Sequence, residues 1–117
     1  MKTLLVGALA LGMAGHASAD FASDMVGTWE WEGYVIEATP CDATIVCAEV
    51  VEGSQNVGMQ MLKTTPIEDK GAWKAEVYHP ATGALYFTKL TYNGTDAWTL
   101  AGCTKAGVCA EGVFTRK

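Results

Sequence analysis

The chain has 117 residues, and its 13 acidic against 8 basic side chains give a formal charge of −5. That length fits one small domain, and the acidic balance excludes nucleic-acid recognition, which needs a cationic footprint. Four cysteines, an even number in a short chain, first suggest disulfides.

Residues 1–19, MKTLLVGALALGMAGHASA, are predicted to be a secretory signal. Lys2 supplies the positive end, Thr3 to Met13 the apolar run, and Ala17-Ser18-Ala19 the small-residue cleavage site. The run falls short of the roughly 20 residues of a membrane span. Cleavage would leave residues 20–117 as one domain, with a charge of −6 once Lys2 is lost from the formal −5. No later segment reads as a transmembrane span. The mature product is therefore expected to be soluble and exported, in a periplasm given the compact signal.

From residue 27 onward, short runs rich in Val, Ile, Thr, Tyr, Phe and Trp alternate with Gly and polar turn residues. Such runs predict strands. In chain order they are VGTWEWE, YVIEAT, IVCAEVV, VGMQMLKT, AWKAEVYH, ALYFTKLTY, DAWTLAG and VCAEGVFTR. EGSQN reads as a turn, PIEDKG and HPATG as connecting segments, and Asn93-Gly94 as a two-residue hairpin turn. No amphipathic helix, low-complexity tract or charge block interrupts them. The fold class is all-β: about eight antiparallel strands in a meander, best satisfied by a closed barrel. An open sandwich is the structural alternative.

The cysteines form two similar segments, CDATIVCAE and CTKAGVCAE. Structural zinc sites favour two to four residues between thiols, and the Cys-x-x-Cys redox spacing is absent. Pairing within each repeat, Cys41–Cys47 and Cys103–Cys109, would staple two hairpins at roughly 2 kcal/mol each. Cross-pairing between the repeats stays open.

The order of these features resembles the bacterial DUF2147 family of small exported proteins with a calycin-like barrel. Gly27-Thr28-Trp29 is similar to the family's opening Gly-x-Trp, and VGMQML to its Gly-x-x-Ile/Leu strand. WKAEVYHPATGALYFTKLTY is similar to the Trp, Gly-hairpin and Tyr pattern, and LAGCTKAGVCAEGVFTR to the closing strands. Ala84, His79 and the loop at residues 52–58 depart from the pattern. The resemblance implies a calycin/lipocalin-like barrel and brings no established reaction.

Trp29, Trp31, Trp73 and Trp98, with Tyr34, Met59, Met61, Tyr86 and Phe87, are the candidate core or ligand-lining residues. Eight-stranded barrels either pack solid or hold one small ligand, and this many large side chains favours filling. Trp29 is the safest core assignment, as a plug for one barrel end. Glu30 and Glu32 share the opposite face and read as solvated, as do Glu49 and Glu111. His79, the only histidine after cleavage, is expected to be exposed. Ser23 and Ser54 lack a nucleophile motif. Asn93-Gly94-Thr95 matches a glycosylation acceptor but is explained as a turn. No catalytic residue, metal site or cofactor is predicted. The leading functional expectation is a non-enzymatic periplasmic binding or accessory protein for a small apolar molecule or an envelope component. A filled-barrel interaction module is the alternative, and an uncharacterised enzyme the third.

Overall fold

Period-two alternation places every second side chain of a strand on one face, and eight strands here use it to build one core. The computed structural model describes residues 23–42, 45–94 and 96–117; the predicted signal, residues 1–19, lies outside them. The strands are β1 Gly27–Trp31, β2 Tyr34–Asp42, β3 Ile45–Glu52 and β4 Ile67–Asp69, then β5 Ala72–Tyr78, β6 Leu85–Tyr92, β7 Ala97–Cys103 and β8 Cys109–Arg116. They form one antiparallel sheet in the order β3-β2-β1-β8-β7-β6-β5-β4. The all-β, barrel-like fold agrees with the prediction.

The sheet curls, and residues 59–63 join β3 at one edge to β5 near the other. On one side Met61 N–H donates to Ala48 O at 2.7 Å, and Val50 N–H to Met59 O at 2.9 Å. On the other, Tyr78 N–H donates to Met61 O at 2.7 Å, and Lys63 N–H to Glu76 O at 2.9 Å. Both contacts are antiparallel bridges, at Glu49↔Gln60 and Leu62↔Val77. An up-and-down ring results.

Three local expectations are corrected. VGMQMLKT makes only these two bridges in place of a regular strand, while PIEDKG contributes β4. Pro66 lies between the two pieces and has no N–H to carry a ladder across. Asn93-Gly94 is not a two-residue turn: Asn93 N–H bonds Ala97 O, and its side chain donates to Thr99 Oγ1 at 2.7 Å. The tight turns are Glu32-Gly33 and Lys70-Gly71, where both residues of each pair take positive φ (47° and 84°; 55° and 84°). They join directly paired Trp31↔Tyr34 and Asp69↔Ala72. Those angles match the turn type whose twist suits a hairpin.

Each end of the barrel carries one disulfide. Cys41–Cys47 staples the β2–β3 hairpin at the lower end, with sulfurs 1.97 Å apart. Cys103–Cys109 staples the β7–β8 hairpin at the upper end, at 2.02 Å. The within-repeat pairing is the one formed. The lower end is plugged by the helical turn at residues 23–25. Trp29 Nε1 donates to Met25 O at 2.7 Å, Trp98 Nε1 to Asp24 O at 3.4 Å, and Arg116 to Val26 O and Asp24 O. Arg116 also stacks over the Trp29 ring at 4.2 Å. The loops at residues 53–58 and 79–84 cover the upper end, tied by Asn56 Nδ2 to Pro80 O at 2.8 Å.

Inside lie Trp29, Ile36, Ala38, Val46, Ala48, Val50, Met61, Val77, Leu90, Trp98 and Phe114, all buried in one cluster. Trp98, Leu90 and Val50 are the largest fully enclosed side chains. No helix among the described residues is long and apolar enough to cross a membrane.

Candidate functional site

Trp31 organises the upper mouth of the barrel. It leaves β1 on the same face as Trp29, and its ring stacks between Tyr34 (5.9 Å, 24°) and Phe114 (5.4 Å, 18°). His79 meets the same indole edge-on at 5.2 Å and tilts against Tyr86 at 5.4 Å. The histidine is therefore half-buried among rings, which corrects the expectation of an exposed turn residue. Its Nδ1 accepts the Ala81 N–H at 3.1 Å, so the neutral imidazole keeps its proton on Nε2. Burial holds this imidazole below its ordinary pKa, and the Glu32 carboxylate opposes the shift. Tyr34 OH shares a hydrogen bond with Ser54 Oγ at 3.1 Å.

Beneath this aromatic mouth is a cavity of about 50 Å³ reached by His79, Tyr86, Thr88 and Gly102. A second void of about 30 Å³ lies nearer the lower end, beside Trp29 and Trp98. Met61, Val77, Leu100 and Phe114 border both and stand between them. Thr88, the one buried polar or charged residue among the described residues, turns its hydroxyl back to Tyr86 O. On the outside of Trp31, β1 and β8 pair only at Trp29↔Arg116 and Glu30↔Thr115. Beyond those pairs they leave an open cleft of about 740 Å³ bordered by Glu30, Glu32 and Glu111. Trp31, with Glu111 and Gly112, borders both that cleft and the internal cavity.

Most of the predicted core residues converge. Trp29, Tyr34, Met61, Tyr86 and Trp98 are buried, while Trp31, Met59 and Trp73 are partly buried against the same cluster. Phe87 does not join them. The pair Val77↔Tyr86 sets the β5–β6 register, so Tyr86, Thr88 and Leu90 face inward and Phe87 stands 50 % exposed on the outer wall. Glu30, Glu32, Glu49 and Glu111 are exposed, and Glu30 pairs with Lys117 at 3.5 Å. Ser23 lies in the lower-end turn. Among the described residues, no three His, Cys, Asp or Glu side chains converge as metal ligands.

The outer walls carry features that strand-by-strand reading missed. Residues 20–62 hold eight carboxylic side chains and no lysine or arginine; after Lys2 the next lysine or arginine is Lys63. Folding gathers this segregation in space. Glu37 and Glu49 face each other across β2 and β3, and Lys74 faces Lys89 across β5 and β6. Beside the lysines, an open groove of about 520 Å³ runs between Ile67 and Phe87. The signal was legible as a run of 60 residues, 3–62, without a single cationic side chain other than His16.

No protein-family model matches the chain, and no match is found among curated proteins or solved structures.

Proposed function

We propose that this protein is an exported, non-enzymatic interaction module that works through its outer walls, with the barrel interior serving as packed scaffold. The carrying observation is the size of the interior voids, about 50 and 30 Å³. Small-molecule pockets run from about 300 to 1,000 Å³, so the interior has room for water-sized guests only. Two disulfides support an oxidising compartment. The signal-like residues 1–19 support the periplasm, and the order of sequence features supports placing the chain with the DUF2147 proteins.

The test is native mass spectrometry of the mature protein purified gently from its own compartment, with cross-linking before lysis. The expected result is no small-molecule adduct, a mass lower by four hydrogens for two disulfides, and cross-links through surface lysines. A stoichiometric small ligand, lost on unfolding, would overturn this reading.

A second reading keeps a small apolar ligand. It is favoured by the placement of Trp31 at the border of both the internal cavity and the outer cleft, since a rotation of one indole would join the two. That reading expects the wild type to take up an apolar dye slowly and Trp31→Ala to take it up faster.

A further inference from the structure

The two walls differ in charge and lie on roughly opposite sides of the ring: the one across β1 to β3 carries Glu37 and Glu49 with no cation among its outward positions, and the one across β4 to β8 carries Lys74 and Lys89 among Asp69, Glu76 and Glu111. One row of outward positions runs Thr28↔Glu37↔Glu49↔Gln60 across β1, β2, β3 and the bridging segment. On the far side the row is Ile67↔Lys74↔Lys89↔Ala101↔Glu111, from β4 to β8. Like charges directly opposite each other on neighbouring strands repel. Asp69 relieves Lys74, at 3.1 Å, and Lys63 holds Glu76 at 3.8 Å. Among the described residues, neither Lys89 nor the Glu37–Glu49 pair has an ion pair. Ile67, 70 % exposed, and Phe87, 50 % exposed, add apolar surface beside Lys89.

We propose that the lysine wall docks the acidic wall of a second copy of this chain, head to tail. The proposal rests on the outer-wall reading above and names the partner. Opposed side chains on paired strands stand about 5 Å apart, so the Lys74–Lys89 pair and the Glu37–Glu49 pair share one spacing. Set against each other, two repulsive pairs become one compact group of alternating charge. Ile67 and Phe87 then lose water at its edge, which a purely electrostatic contact would not provide.

Size sets the strength. Four strands at about 4.8 Å spacing and seven residues of length give a wall of roughly 19 by 24 Å, or about 450 Å². Stable interfaces cover about 800 Å² per partner. The contact is therefore weak and salt-sensitive. Because the two faces differ, a docked pair leaves one free face of each kind, and association runs past the dimer to a ring or a filament.

Sedimentation velocity of the mature, oxidised protein in about 20 mM and about 300 mM salt reads this directly, since screening shortens from tens of ångströms to a few over that range. At low salt the weight-average coefficient should climb with concentration and show no plateau at a dimer; at high salt it should return to the monomer. The double reversals Lys74→Glu/Lys89→Glu and Glu37→Lys/Glu49→Lys should each weaken association at least about tenfold. Mixing the two variants should restore it, which also shows that both are folded. Failure of the mixture to associate, or a closed two-fold dimer, would overturn the proposal. A monomer under every condition would do the same. If that monomer still cross-linked in its native compartment to a different envelope protein, the second copy would be rejected and the interaction reading kept. With no neighbour cross-linked, both would fall.

Discussion

The Trp31 indole rests on Gly112: a Cβ at that glycine would stand 2.6 Å from Trp31 Nε1. The missing side chain makes room for the ring that closes the upper mouth. Gly112→Val should therefore push the indole toward solvent. Gly112 does not take a positive φ, so the cost is steric, about 1–3 kcal/mol as for other overpacked sites. Red-shifted tryptophan emission together with a lowered Tm is the expected result. Unchanged emission would mean that the indole does not depend on this approach.

Glu32 takes a φ of 47°, a conformation that costs an ordinary L-residue roughly 1–2 kcal/mol and that Asn tolerates better. Glu32→Asn should recover part of this, on the order of 0.5–1 kcal/mol, in denaturant unfolding. The same change removes the carboxylate that raises the His79 pKa. Stability should rise while the His79 titration, followed by NMR, moves to lower pH. A rise in that titration would contradict the assigned contact.

His79 has its pKa lowered in the folded protein, chiefly by burial. The unfolded chain therefore takes up the proton first as pH falls, and acidification favours unfolding. Stability conferred by the neutral imidazole is complete above the unfolded value of about 6.5 and is lost as pH drops from there toward the folded value. His79→Asn can still accept the Ala81 N–H and has no such titration. As pH falls below about 6.5, its unfolding free energy should fall less steeply than that of the wild type. Parallel slopes would place the titration elsewhere.

Each disulfide closes a segment with a sequence separation of 6. Replacing either pair by serine should cost about 2 kcal/mol, or roughly 10 °C in Tm for a domain of this size. Since the two staples sit at opposite ends with no shared contacts, the losses should add within about 0.5 kcal/mol. A strong departure from additivity would reveal coupling through the core.

Period-two patterning was enough to find β5, where Trp73, Ala75 and Val77 do face the core. In β6 it failed for Phe87, because LYFT is apolar on both faces and local sequence does not choose the phase. The long-range pair Val77↔Tyr86 makes that choice. Turn chemistry misled at Asn93-Gly94, where the Asn side chain bonds Thr99, and hid at Glu32-Gly33 and Lys70-Gly71, where a charged residue takes positive φ. His79 could not be placed from sequence, since the ring it meets edge-on, Trp31 of β1, lies far back along the chain, and the nearby Tyr86 reaches it only once β6 has its register. The opposed charged walls were half legible. The bias lies in the composition, but opposing the walls takes a closed ring.

The placement of the two staples has a consequence for how the chain matures. Four thiols can pair in three ways, and the pairing formed closes the two shortest loops available. Short flexible loops close fastest. A chain emerging N-terminus first can thus oxidise Cys41 with Cys47 before Cys103 and Cys109 have appeared. The second pair then has only itself to react with. In the export proposed above, correct oxidation would follow from the order of emergence, without a shuffling step and before the barrel closes.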